Sequence, residues 1–143
     1  MPKRRELRAY ERCLNAALHG CETFDFAPAD LAVLRERLRN FSGFSVHAPL
    51  PTWPDYPGRA TTSFLLDPDP IKRKASLDLL QRTVQVAAEW GALYVVIHFG
   101  GLHSDGLSRA EVLELADQAA AQLDAWACEL HMPVHIEYSA YNP

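Results

Sequence analysis

The sequence predicts an α/β fold, a partial (β/α)8 barrel of about four parallel strands with alternating helices. Three observations carry this. Helical and extended patterns alternate along the chain. The extended run 94–97, Tyr-Val-Val-Ile, is apolar without a break, as in a strand covered on both faces. And three extended runs, 44–47, 93–98 and 133–137, end in or carry a side chain able to bind a metal: His47, His98 and Glu137. Alternating helix and strand specify βαβ units with right-handed crossovers, hence a parallel sheet. Polar groups at the ends of successive parallel strands converge on one edge, where α/β proteins place their sites.

Each element has its own local reason. Leu7, Tyr10, Leu14, Ala17 and Leu18 recur at helical spacing, with Gly20 where a left-handed cap would close the helix. Residues 21–26 are extended and end before Pro28. Asp30 can then cap a helix that carries Leu31, Leu34 and Leu38 on one face. After Gly43 comes the strand 44–47, then a proline-rich segment, 49–70, too long for a plain connection and so read as a lid or binding loop. From about residue 71 to Trp90 the pattern is helical, with Leu80, Val84 and Ala87 in register and Gly91 to terminate it. The strand 93–98 follows, then a Gly100-Gly101 turn. Ser108 with Glu111 forms a capping box opening a helix with the stripe Val112, Leu115, Ala119, Leu123, Trp126 and Leu130. Pro133 starts the last strand. A closed barrel takes eight strands and roughly 250 residues. The 143 residues here are therefore read as a single partial-barrel domain, 1–143, without the first strand and the last three.

Composition narrows the function classes. With 48% hydrophobic and 22% charged residues, the chain can bury one core. Its apolar runs are short and its start, Met1-Pro2-Lys3-Arg4-Arg5, leads into no apolar stretch, so the expectation is a cytoplasmic protein with no membrane span. The net charge of −4 argues against a nucleic-acid partner, which needs a concentrated basic face. Only Lys3, Arg4, Arg5 and Arg8 cluster, and they read as a solvated helix start. Cys13, Cys21 and Cys128 are odd in number and widely spaced, so they are read as buried small hydrophobes rather than a zinc knuckle or redox pair.

Strand alternation puts Ser45 and His47, Tyr94, Val96 and His98, and His135 and Glu137 on equivalent faces. Such a polar inner face is costly unless its groups bond one another, water or a metal. Imidazole and carboxylate suit Zn, Mn or Co, and a His-His-Glu set leaves positions open for substrate. Taken singly, each residue also has a structural reading: His47 capping its loop, His98 bonding a carbonyl, Glu137 pairing with Arg59. His103 lies on the loop after Gly101 and could reach the same mouth. Trp53, Tyr56 and Arg59, in the long loop, could cover a sugar face or grip a phosphate. His19 and His131 sit at helix C-termini, where imidazolium favours the dipole.

The segments Phe44-Ser45-Val46-His47-Ala48-Pro49, Val95-Val96-Ile97-His98-Phe99-Gly100-Gly101 and Val134-His135-Ile136-Glu137, with Lys74-Ala75-Ser76 and Trp90-Gly91-Ala92, resemble the xylose isomerase-like TIM-barrel superfamily. That group includes sugar phosphate isomerases/epimerases and endonuclease IV. The resemblance covers most of residues 20–140. It implies that His47, His98 and Glu137 bind a divalent metal ion and that Glu137 also moves a proton. Tyr138 and Phe99 replace an Asn and a Pro common at those positions. It further implies a divalent-metal-dependent sugar or sugar phosphate isomerase/epimerase, with Trp53, Arg59, His103 and His135 as candidate substrate contacts. The rest of the site would come from a homo-oligomer or a complementing C-terminal half-barrel chain. An endonuclease IV-like phosphodiesterase and a non-catalytic truncated barrel or binding module are the alternative readings.

Overall fold

The computed structural model describes residues 20–58, 62–99 and 104–137. The helix expected over residues 7–18, Cys13, Arg59, the Gly100-Gly101 turn, His103 and Tyr138 lie outside the described residues. Within them, the order is β1 (Gly20–Phe24), a short 3-10 turn (Pro28–Asp30), α1 (Leu31–Leu38), β2 (Gly43–His47), α2 (Pro70–Trp90), β3 (Val95–His98), α3 (Arg109–Glu129) and β4 (Val134–Glu137). The strands stand side by side in chain order in one sheet, every neighbouring pair parallel. This is the partial α/β barrel that the alternation predicts.

The sheet has two unlike faces. On one, Phe44, Val46, Val95 and Ile97 pack under Leu34 and Leu38 of α1, Leu80, Val84 and Ala87 of α2, and Ala119, Leu123 and Trp126 of α3. These side chains are at most 8% exposed, and each large one buried this way contributes about 1.5–3 kcal/mol. The other face is polar and partly open. Along β3 burial alternates, Val95 and Ile97 fully covered, Val96 and His98 only half. The expectation of a strand covered on both faces is thus corrected: the helices lie on one side only, and the described residues supply no second layer over the other.

Local signals explain the element boundaries. The Asp69 carboxylate accepts from the Ile71 amide at 2.8 Å and Pro70 occupies the first turn, so α2 starts one residue before the hydrophobic pattern does. Gly91 closes it at φ 75°, a left-handed conformation that glycine adopts without a Cβ penalty. At α3 the capping box forms as read, with Glu111 N to Ser108 Oγ at 3.3 Å and Ser108 N to Glu111 Oε2 at 2.7 Å. Asp30 does not cap α1, because its backbone is already helical within the 3-10 turn and its side chain makes no cap bond. β1 stops at Phe24 rather than Phe26, since Asp25 turns to φ 56° and its carboxylate accepts from Thr52 Oγ1 at 2.9 Å. Cys21 is half-buried and Cys128 exposed, so the latter is not the buried hydrophobe expected.

The long segment between β2 and α2 is tied to the fold rather than laid over it. Leu50 and Leu65 are buried to within 2%. The Leu50 amide donates to Thr83 Oγ1 at 2.9 Å, and the Phe64 amide to Ser76 Oγ at 2.9 Å. Tyr56 Oη donates to the Thr62 carbonyl at 2.7 Å, so in the 2.8 Å Tyr56–Ser76 bond it is the Ser76 hydroxyl that donates. Among the described residues, no helix is long and apolar enough to cross a membrane.

Candidate metal centre

Parallel register decides which side chains meet. Phe24 pairs with His47, His47 with Val96, and His98 with Glu137, so the ends of β2, β3 and β4 come level on the polar face. His47 stands edge-on to Phe24, with ring centroids 5.2 Å apart, and tilts against His98 at 4.6 Å. One donor atom from each of His47, His98 and Glu137 falls within 4.8 Å of the others. The β4 end is held by the Phe99 amide, which donates to the Glu137 carbonyl at 3.1 Å.

The hydrogen bonds of His47 point to a cation. Its Nδ1 lies 3.2 Å from the Ala48 carbonyl, which can only accept, so Nδ1 carries the proton. Nε2 lies 3.3 Å from Glu137 Oε2: the imidazolium donates to it, whereas the neutral ring sets a lone pair against a carboxylate oxygen. Two acceptors at that distance repel unless a proton or a metal ion stands between them. A tetrahedral ion with bonds near 2.1 Å separates its donors by about 3.4 Å, close to this 3.3 Å gap, while the three donors as a set lie within 4.8 Å of one another. Burial pushes the His98 pKa down, His47 nearby pushes it further, and Glu137 pulls back in part. His98 therefore keeps its neutral, ligating form to lower pH than an ordinary histidine. The donor set fits Zn, Mn or Co.

The remaining candidates are placed differently. His135 projects from the same face as Glu137 but stacks on Tyr94, centroids 4.7 Å apart and planes 8° from parallel, and is exposed. Trp53 is 37% exposed, lies under the Arg82 guanidinium at 5.1 Å and lines a cleft along α2 with Tyr56 and Asp78, apart from the three donors. Arg59 and His103 are outside the described residues. Sequence reasoning did not find Ser76, which is 1% exposed and ties Tyr56 and Phe64 together beside the cluster. Nor did it find Ser63, which with His98 lines a small recess. The Lys74-Ala75-Ser76 motif includes one of the two serines but not its bonds, because both roles arise only when the long segment folds back on α2.

No protein-family signature matches the chain, and no curated protein is significantly similar to it. Solved structures are. The TTHB071 protein of Thermus thermophilus, from a ZnCl2 soak, is 31% identical with a TM-score of 0.62, over 97% of this chain and 54% of that one. A D-psicose 3-epimerase in the presence of D-fructose is 15% identical with a TM-score of 0.63, over 90% and 45%. Protein SMc04130 of Sinorhizobium meliloti is 18% identical with a TM-score of 0.65, over 91% and 44%. The chain spans about half the length of these neighbours. These likenesses show the fold: four parallel strands with alternating helices, a partial α/β barrel matching about half of structures that include a D-tagatose 3-epimerase-like protein and a D-psicose 3-epimerase.

Proposed function

We propose that the chain is half of a divalent-metal-dependent sugar or sugar phosphate isomerase/epimerase-like barrel, with His47, His98 and Glu137 as metal ligands and a complementing chain needed for turnover. The meeting of three donors at the C-terminal ends of three adjacent parallel strands carries this reading. It is supported by epimerase neighbours of the same fold and about twice the length.

A bound divalent ion would polarise a sugar carbonyl or hydroxyl. His47, fixed through Ala48, and His98, whose pKa burial lowers, would hold that ion at the mouth. Glu137, with its side chain 52% exposed, has a second carboxylate oxygen free to exchange a proton at the neighbouring carbon. Among the described residues the cluster has this one carboxylate. Inverting a carbon centre requires a base on each side, so the second comes from a second copy or a separate C-terminal half. His135, on the same face, is a substrate contact in this reading, as are Trp53, Arg59 and His103 on the loops. The net charge of −4 favours a small-molecule substrate over a phosphodiester backbone.

The test is native mass spectrometry of the purified chain with excess zinc, then proton exchange from D-fructose in D2O with the other half added. One zinc per site, lost in His98→Ala, with exchange lost in Glu137→Gln, is the expected result. Failure to hold zinc near neutral pH sinks the metal centre. Zinc binding without exchange identifies a binding module.

A further inference from the structure

We infer that Phe24 is a positioning residue of the candidate metal centre: its ring holds the His47 imidazole in the plane that aims Nε2 at the cluster. This rests on the metal reading above and deepens it. Phe24 ends β1 in direct register with His47, and the two ring centroids lie 5.2 Å apart with their planes 84° from parallel. Among the described strand residues of the polar face, Phe24 and Val96 are the apolar side chains; Glu22, Ser45, His47, His98, His135 and Glu137 are polar. A half-buried phenyl ring at the level of the donors therefore calls for a reason.

His47 supplies it, because one hydrogen bond does not fix a ring. The bond between Nδ1 and the Ala48 carbonyl, 3.2 Å long, settles which way round the imidazole sits. It leaves the ring free to swing while Nδ1 stays within reach of the carbonyl. That swing matters, since the lone pair of Nε2 lies in the ring plane and must point at the ion to bind it. β2 stands between β1 and β3, so His47 is flanked by Phe24 on one side and on the other by His98, with centroids 4.6 Å apart. An edge-to-face pair sets a positive ring edge against a negative ring face, and turning either ring away from the perpendicular weakens the contact or drives atoms together. Phe24 thus restrains the plane while the Ala48 carbonyl restrains the direction. Having no donor atom, Phe24 does not compete for the ion.

Phe24 is itself held. All five residues of β1 pair with β2. Just beyond the strand, the Thr52 amide donates to the Phe26 carbonyl at 3.0 Å and Thr52 Oγ1 to the Asp25 carboxylate at 2.9 Å. The backbone that carries the phenyl ring cannot shift against His47 without breaking these bonds. A ligand supported in this way loses less freedom when the ion arrives, which raises affinity without a new contact to the metal.

The experiment titrates the purified chain with zinc in competition with a chromophoric chelator, after thermal unfolding of each metal-free variant. Phe24→Leu keeps an apolar side chain but no ring, and zinc binding weakens about three- to tenfold, the effect of ordering one freed side chain. Phe24→Met, equally ringless, gives the same loss and keeps the test from hanging on one variant folding. Phe24→Tyr restores the ring and brings affinity back to within about twofold of wild type. Leu34→Val, in the core on the other face of the sheet, lowers the unfolding temperature and leaves zinc affinity as it was. Wild-type zinc affinity in Phe24→Leu and Phe24→Met overturns the assignment and leaves the metal centre standing. So does an equal loss in Phe24→Tyr, which shows that the ring pair is not what matters, or in Leu34→Val, which shows that loosening of the fold is enough. If wild type binds no zinc, the metal reading falls and the role of Phe24 falls with it.

Discussion

The two faces of the sheet are made from the same four strands yet differ in almost every property. On the helix-covered face Phe44, Val46, Val95 and Ile97 are apolar, closed and packed by three helices. On the opposite face His47, His98 and Glu137 are polar, the His47 and Glu137 side chains 14% and 52% exposed, and one donor atom of each lies within 4.8 Å of the others. Alternation along a strand keeps these faces separate to the single residue: Ile97 packs in the core, and His98, one position on, joins the polar cluster. Stability and site should therefore be separable by substitution.

The largest effect tests the closed face. Ile97→Ala should cost about 2–5 kcal/mol in denaturant unfolding, since Ile97 is fully buried and its neighbours cannot all collapse into the space. On the open face, His98→Ala should weaken zinc binding by more than about 100-fold. Its metal-free stability should stay within about 0.5 kcal/mol of wild type, as for substitutions away from the core. If His98→Ala unfolds the protein instead, the two faces are not independent. Ser76→Ala bridges them. It strands the Phe64 amide and removes the bond that Ser76 gives Tyr56, whose hydroxyl keeps its bond to the Thr62 carbonyl, so a loss of about 1–3 kcal/mol in unfolding is expected, with increased proteolysis in the 49–69 segment. Ser108→Ala removes the α3 cap and should cost about 1 kcal/mol, with no change in zinc affinity.

The smallest effects are pH-dependent. Because the folded pKa of His98 is depressed, the unfolded chain binds more protons between that value and about 6.5. Metal-free stability should therefore fall as pH drops from about 6.5 toward the folded value, and His98→Ala should flatten that slope. The Glu111 carboxyl is held low by its side-chain and backbone bonds to Ser108. Its contribution is present above the unfolded pKa and lost as pH falls through the folded one, so Ser108→Ala should show less acid sensitivity. A parallel pH profile in the variant would disprove that coupling.

Much of this was legible from residues alone. The meeting of His47, His98 and Glu137 was, because strand ends and parallel order follow from hydrophobic pattern, and register then does the rest. The capping box and the Gly91 terminus were too, since both depend on a few adjacent residues. Asp25 shows where local reading stops: its left-handed turn ends β1 two residues early and is held by Thr52, 27 positions away. The Ser76 anchor and the Tyr94–His135 stack likewise join residues 12 to 41 positions apart. The two-sided cover expected for β3 failed for another reason. A continuous apolar run reports what a strand can bury, not which layers this chain provides.

β4 is four residues long and, among the described residues, hydrogen-bonded to one neighbouring strand, with Ile136 53% exposed. A strand held on one side frays, and Glu137 sits at its far end. An ion bound as proposed would clamp that strand, and slower hydrogen exchange at the Phe99 amide on adding zinc would report it.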